Sequence, residues 1–185
     1  MRERYHAALL GAALLLLAGL FTFGLFAAAG LYNVAADDPH MALTRHFIGY
    51  VRERSIAVRA SGIAVPPLND PKMLSEGVEH YSTMCTGCHL VPGMGENEMR
   101  PGMNPKPPVF ASLPRGNPAE QFWVIKHGIK MTGMPAWGGT HSDEEIWNMV
   151  ALLQKLPAMS PQRYRALVAA SGTHHEHDEP MDMGH

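Results

Sequence analysis

The sequence predicts an all-α protein in which one amino-terminal transmembrane helix precedes a small helical domain. Residues 7–31 form an unbroken apolar run. Later segments place apolar residues at helical spacing between Ser, Asn or Asp caps and Gly or Pro stops. No part of the domain shows the alternation of apolar and polar residues that is typical of a strand. These three observations give the fold class.

Composition narrows the class of protein further. The chain has 185 residues, of which 46% are hydrophobic and 17% are charged. Such an apolar fraction excludes disorder throughout, and two cysteines exclude a disulfide scaffold. The formal net charge of -2 gives no bulk attraction to nucleic acid, so we expect no nucleic-acid partner.

The first predicted element is a membrane anchor. A helix over residues 7–31 would be roughly 37 Å long, which exceeds the roughly 30 Å hydrocarbon core of a bilayer. The alternative is a cleaved signal peptide, for which Arg2 and Arg4 supply the basic start and alanines 27–29 a cleavage site. The apolar part of a signal peptide usually has about 7 to 15 residues, so the sequence favours a retained anchor.

The next element is a basic amphipathic helix over residues 41–60. Leu43, Phe47, Tyr50 and Val51 fall on one side and most of the arginines on the other. Such a helix either lies on the lipid surface or is a solvated spacer packed on a partner. Together with a Pro-rich linker it fills residues 37–68, between the anchor (1–36) and the compact domain (69–161). A carboxy-terminal extension follows (162–185).

Three helices are predicted within the compact domain. The first begins at the cap Asp70 and runs to about Met84, the second runs from Asn117 to Gly128, and the third begins at Ser142 and ends before Pro157. Between the first two, residues 92–114 are rich in proline and glycine, so we expect a loop there.

The residues with the clearest chemistry follow the first of these helices. Cys85, Cys88 and His89 form a C-x-x-C-H sequence, the attachment signature of c-type haem. Two thiols three residues apart on a helical turn reach the two vinyl groups of one porphyrin edge, and the histidine points at the iron. A structural zinc site lacks a second cysteine pair, a thioredoxin-like dithiol lacks its βαβ context, and a plain disulfide leaves His89 unexplained.

A methionine is the expected second ligand of the iron. Haem in an electron carrier takes a sixth ligand, and a thioether raises the reduction potential. Met134 lies between Gly133, which has no side chain to hold the backbone off the porphyrin, and Pro135, which fixes the direction of the chain. Met131 is the alternative.

With these motifs the chain resembles the class I c-type cytochromes, in their bacterial membrane-anchored single-haem form. The resemblance implies that the first and last helices of the domain cross, with Gly77 and Tyr81 touching Trp147 and Val150. It also implies that a proline carbonyl accepts the ring N–H of His89.

Pro107 is the proline expected in that position, with Pro92 and Pro101 as rivals. Trp137 either approaches a haem propionate or packs in the core. The chain departs from the family pattern at Leu90, which stands where a glycine or another small residue is frequent.

The resemblance further implies a function. We expect a one-electron carrier, or the cytochrome subunit of an oxidoreductase complex, rather than an enzyme in itself. It would carry one covalent haem c and be held at the bacterial inner membrane, facing the periplasm. Its redox partners would be a dehydrogenase, a quinol-oxidising complex or a terminal oxidase. The alternative is a haem protein whose methionine ligand is labile and which acts on peroxide or a gas.

The carboxy-terminal tail suggests another alternative, copper handling. Thioether and imidazole ligands suit copper, although a solvated tail is the simpler interpretation. The candidate copper ligands are His174, His175, His177, Met181, Met183 and His185.

Overall fold

The structure, a computed structural model, describes residues 2–172, and all regular secondary structure in that range is helical. The predicted all-α class is therefore confirmed. The α-helices are α1 (Arg2–Ala28), α2 (Ala42–Ala60), α3 (Pro71–Met84), α4 (Thr86–His89), α5 (Pro118–His127), α6 (Asp143–Leu153) and α7 (Pro161–Gly172). Short 3-10 helices lie at Arg100–Gly102, Phe110–Ser112 and Leu156–Ala158.

The chain divides into two compact units, and the first of them ends at Asp38. Its helix is α1, whose 27 residues include none that is buried. An 18-residue window of α1 has a mean hydropathy of 2.3, and the whole helix is about 40 Å long at 1.5 Å per residue. By length and composition α1 is able to cross a membrane, a property that signal sequences share.

The second unit begins at Pro39 and is built around the crossing of α3 and α6. The side chain of Asp70 caps α3 by accepting from the Lys72 N–H. At the crossing, a Cβ atom on Gly77 would collide with the backbone carbonyl of Asn148. Glycine at this position therefore allows the two helices to approach closely. Trp147, which we expected at the crossing, stacks on Phe122 of α5 with ring centroids 4.2 Å apart.

The core of this unit lies between α3, α5, α6 and α7. Its buried residues are Val78, Tyr81, Phe122, Ile125, Ile146, Met149, Val150, Leu152, Leu153, Leu156 and Tyr164. Tyr81 also anchors the chain beyond α3, because its hydroxyl donates to the carbonyl of Leu90 over 2.8 Å. Burial raises the pKa of this hydroxyl, which therefore stays protonated and able to donate.

The sequence interpretation missed α7, which it assigned to an extension. Ser160 accepts from the Arg163 N–H over 3.2 Å and so caps α7, and Pro161 is its first residue. This cap, followed by proline, is a helix-start signal that sequence reasoning could have used. Because α7 packs on α3 and buries Tyr164, it adds to the core.

Helix α2 packs against α5 within the second unit. Its least exposed residues are Thr44, Gly49, Arg52, Ser55, Ile56, Ala57 and Ala60. The residues expected to form its apolar side (Leu43, Phe47, Tyr50 and Val51) are all exposed. The contact with α5 thus uses a different face of α2 from the apolar one that the sequence pattern shows.

Candidate haem-binding site

Both cysteines lie on the turn that follows α3. Cys85 ends that helix, and its carbonyl accepts from the N–H groups of Cys88 and His89 over 3.1 and 2.9 Å. This bonding places Cys85 and Cys88 one turn apart, with His89 beside them. Burial raises the pKa of the Cys85 thiol to about 11, so this group is protonated at neutral pH.

His89 is held through one ring nitrogen by the loop that precedes α5. Its Nδ1 lies 2.9 Å from the carbonyl oxygen of Pro108. A carbonyl can only accept, so Nδ1 carries the hydrogen and the lone pair is on Nε2, the atom able to bind a metal. The ring also stacks on Phe110, with centroids 4.7 Å apart. Burial lowers the pKa of His89, the hydrogen bond to Pro108 opposes this effect, and the charge of Arg100 adds to it. The net lowering favours the neutral ligand form.

The proline that accepts from His89 differs from the expected one. We expected Pro107, with Pro92 and Pro101 as rivals, and these expectations were wrong: the acceptor is Pro108. Consecutive prolines in an irregular loop direct their carbonyls differently. The sequence alone does not say which of Pro107 and Pro108 faces the histidine.

The loop that carries Met134 is bonded internally. The carbonyl of Met134 accepts from the Ile129 N–H over 3.2 Å, and the N–H of Met134 donates to the hydroxyl of Thr132 over 3.1 Å. Met134 is half-buried and packs against the core. Met131 has a positive φ of 58° and a side chain that is 99% exposed.

A second thioether lies close to this loop. A Cβ atom on Gly133 would meet the terminal methyl of Met103, which is half-buried. The sequence interpretation did not single out Met103. Met103 lies in the irregular segment between the 3-10 helices Arg100–Gly102 and Phe110–Ser112. No sequence pattern in this segment links it to Met134.

A buried arginine is hydrogen-bonded to the attachment turn, the C-x-x-C-H segment of residues 85–89. The sequence interpretation did not identify it. Arg100 is 2% exposed and donates through Nη1 to the carbonyl of Cys88. Its Nε donates to Glu96 over 3.1 Å, and its backbone N–H donates to the side-chain oxygen of Asn97 over 3.1 Å. The amide nitrogen of Asn97 donates to the carbonyl of Gly87 over 2.7 Å. Two carbonyls of the C-x-x-C-H turn are therefore bonded to one short segment.

Leu90 follows the C-x-x-C-H turn directly, at the position where the family pattern favours glycine. Its φ is 56°, a left-handed conformation that side chains disfavour. The residue is 3% exposed, and its carbonyl accepts from Tyr81. Apolar burial and one buried hydrogen bond offset the conformational cost.

Trp137 lies at the edge of the core, half-buried and packed against it. Its indole ring also meets the ring of His141 edge-on, with centroids 5.4 Å apart. His141 in turn meets His80 edge-on at 5.3 Å. Within residues 2–172, no set of three or more His, Cys, Asp or Glu side chains is placed to hold a metal ion. The six candidate copper ligands of the tail lie outside the described residues.

The geometry fits a c-type haem. The tautomer of His89, fixed by Pro108, leaves Nε2 available for iron, and two thiols stand on the same turn. A half-buried methionine from a separate loop supplies a thioether. These are the donor types of a haem c site.

One family of known proteins matches this part of the chain. Residues 72–153 match the family described as cytochrome C oxidase, cbb3-type, subunit III. The match covers less than half of the chain and runs from the start of α3 to the end of α6. No curated protein and no solved structure matches the chain.

The matched segment is a c-type cytochrome domain, as the resemblance predicted. Such a domain implies haem c as its cofactor. The chain is accordingly a haem-based electron-transfer protein.

Proposed function

We propose that this protein is a membrane-anchored, periplasmic one-electron carrier with a single covalent haem c. Cys85 and Cys88 would form the two thioether links, and His89 and Met134 would bind the iron. The main support for this proposal is the hydrogen bond from His89 Nδ1 to the Pro108 carbonyl, because it fixes the tautomer and the ring orientation that a permanent iron ligand requires.

Bound haem c supplies a one-electron couple between ferric and ferrous iron. The side chains of the protein hold it without taking part in bond making. Pro108 and Phe110 keep the His89 ring in place, and the bonded loop at Met134 holds the thioether. Since neither ligand has to leave, little rearrangement accompanies electron transfer. No nucleophile or acid-base pair is needed.

The redox partner proposed here is a membrane-bound terminal oxidase. The description of the matched family names an oxidase subunit, which favours this partner over a dehydrogenase or a quinol-oxidising complex. Helix α1, long and apolar enough to span a bilayer, would confine the carrier to the membrane plane. Confinement raises its effective concentration near membrane-bound partners.

Optical spectra of the ferric protein test the ligand assignment. We expect a sulfur-to-iron band at the red edge of the visible spectrum, lost in Met134→Ala and kept in Met131→Ala. A high-spin spectrum of the unmodified protein would instead support a labile ligand and chemistry on peroxide or a gas. If Met131→Ala alone removed the band, the sixth ligand would be Met131.

Mass measurement tests attachment and anchoring together. Protein made with a haem-attachment system should carry the mass of one haem that acid acetone does not extract, on a chain with an uncleaved amino terminus. Replacing Cys85 and Cys88 by alanine should leave it unmodified. Haem extracted from the unmodified chain would refute covalent attachment, and a shortened amino terminus would refute the retained anchor.

A further inference from the structure

Helix α2 has two faces with different surroundings. Helix α2 packs on α5, and its less exposed face includes Ile56, Ala57 and Ala60. On the other face, large apolar side chains recur at helical spacing and stay exposed. Their exposed fractions are 82% for Leu43, 66% for Phe47, 64% for Tyr50, 48% for Val51 and 59% for Val58.

This apolar stripe is more than scattered surface residues. Positions 43, 47, 50, 51 and 58 fall within one sector of the helix, at steps of three, four and seven residues. Contiguous apolar surface of this kind on a folded domain marks a site that something else covers. The stripe stays open although α2 already packs against α5 through another face.

The positive charge of α2 indicates that the surface covering the apolar stripe is anionic. The helix carries four arginines (45, 52, 54 and 59) and one acidic residue, Glu53, while the chain as a whole has a formal net charge of -2. Arg54 lies within the apolar sector. A long arginine side chain there reaches past the apolar residues to phosphate groups at a lipid surface.

The chain also limits how far α2 can lie from a membrane. Residues 29–41 connect α1 to α2 and reach at most about 45 Å when fully extended. If α1 spans the bilayer, the apolar stripe is always within reach of the headgroups of the same leaflet.

We infer that α2 binds a phospholipid surface containing anionic headgroups, with Leu43, Phe47 and Tyr50 entering the boundary of the acyl chains. This inference rests on the proposed anchoring by α1. Because α2 packs on α5, which contributes Phe122 and Ile125 to the core, binding of α2 to lipid would restrict the orientation of the cytochrome domain at the membrane.

Spin labels on the full-length haem protein in vesicles test this inference. Once haem has taken up Cys85 and Cys88, a new cysteine is the sole free thiol. Phe47→Cys places the label on the apolar stripe, and Glu53→Cys is the control at an exposed position of the same helix outside the stripe. In vesicles of phosphatidylglycerol and phosphatidylcholine, the label at 47 should be severalfold more accessible to oxygen than to a water-soluble nickel chelate. The label at 53 should show the opposite preference.

Headgroup charge gives a second test. Changing Arg45 and Arg54 together to glutamine should reduce the oxygen preference at 47 in anionic vesicles, and vesicles of phosphatidylcholine alone should do the same. An unchanged haem spectrum in each variant shows that the domain is folded.

Three results would overturn the inference. In the first, the labels at 47 and 53 are equally accessible to the chelate in vesicles. In the second, the label at 47 is shielded only in native membranes, which would identify a protein partner. In the third, the chain fails to float with the vesicles, which would refute the anchor itself; the first two results leave the anchor and the electron carrier intact.

Discussion

At the scale of single residues, the attachment turn depends on a cation buried beside it. Arg100 is 2% exposed and donates to the carbonyl of Cys88 and to Glu96. Burying a guanidinium is costly unless its N–H groups are bonded. The bond from Arg100 to Cys88 also fixes the direction of the Cys88 carbonyl, so the buried guanidinium orients the attachment turn.

Replacing this arginine should therefore weaken the fold around the haem. Arg100→Met leaves the Cys88 carbonyl without its donor, and we expect a loss of about 1–3 kcal/mol in the free energy of unfolding. Guanidinium titration of the haem protein, followed by absorbance, measures it. Glu96→Gln is the control and should cost less, because Glu96 is exposed and its ion pairs with Arg100 and Lys106 are partly solvated. Equal losses would contradict the role given to the Cys88 carbonyl.

The residues of the site differ in how far the sequence predicts them. Cys85, Cys88 and His89 follow from one contiguous motif whose spacing is dictated by chemistry. Pro108, Arg100 and Met103 lie in segments without periodicity, and only tertiary structure brings them to the attachment turn or to the methionine loop. Local patterns therefore identify the proposed haem ligands but miss the residues that hold them.

At the scale of elements, the crossing of α3 and α6 sets the geometry of the domain. Gly77→Ala would place a methyl group against the Asn148 carbonyl, on a backbone held within α6. We expect a loss of about 3 kcal/mol in thermal or chemical unfolding. Gly49→Ala is the matched control, since that glycine also lies within a helix but has open space around it. It should stabilise α2 by about 0.5–1 kcal/mol, and a similar loss in both variants would argue against a specific helix contact.

The start of α6 gives a prediction that depends on pH. Ser142 and Glu145 form a capping box, with the Glu145 carboxylate accepting from the backbone N–H of Ser142 over 2.7 Å and from its hydroxyl over 2.8 Å. These bonds lower the pKa of Glu145 below its ordinary value of 4.5, with a smaller effect from His80. A carboxyl group whose pKa is lower in the folded chain stabilises the fold at pH values above its ordinary pKa. This stabilisation is lost as the pH falls through the pKa of the folded state.

Ser142→Ala should accordingly cost about 1 kcal/mol at neutral pH, and the cost should shrink in acid as Glu145 becomes protonated. Unfolding titrations at neutral pH and at pH values below 4.5 measure the difference. Ser160→Ala is the control, because Ser160 caps α7 with Arg163, a base, in the third position. The loss of stability in Ser160→Ala should not shrink in acid in the same way. If the losses in the two variants depended on pH identically, the capping box would be excluded as the cause.

Local signals account for most of the elements. Asp70, Asn117 and Ser142 cap α3, α5 and α6 as the sequence predicts, because a cap is a contact between near neighbours. The packing of α2 could not be predicted in this way. Its hydrophobic pattern identifies an apolar side, whereas its less exposed residues, among them Ile56 and Ala60, lie on another face, and which face is covered depends on the partner element.

At the scale of the whole molecule, the two sides of the cytochrome domain differ in how they are held together. The helices that meet around Val78 and Val150 supply the buried core. Residues 91–114 contain only two short 3-10 helices, and Phe110 and Met103 in that segment are half-buried. If haem c lies against this side, it supplies apolar contacts there, and each 100 Å² of apolar surface that it covers is worth about 2.5 kcal/mol.

Removing the haem should therefore loosen one side of the domain first. In the variant with Cys85 and Cys88 both changed to serine, we expect amide exchange to accelerate most within residues 91–114 and in the loop at Met134. The crossing of α3 and α6 should keep more of its protection, because Gly77 and Asn148 meet through backbone rather than through the cofactor. Hydrogen exchange read by mass spectrometry compares the two forms segment by segment. If exchange rose equally everywhere, the helical core would depend on the haem as much as the loops do, and the division of the domain into two sides would be wrong.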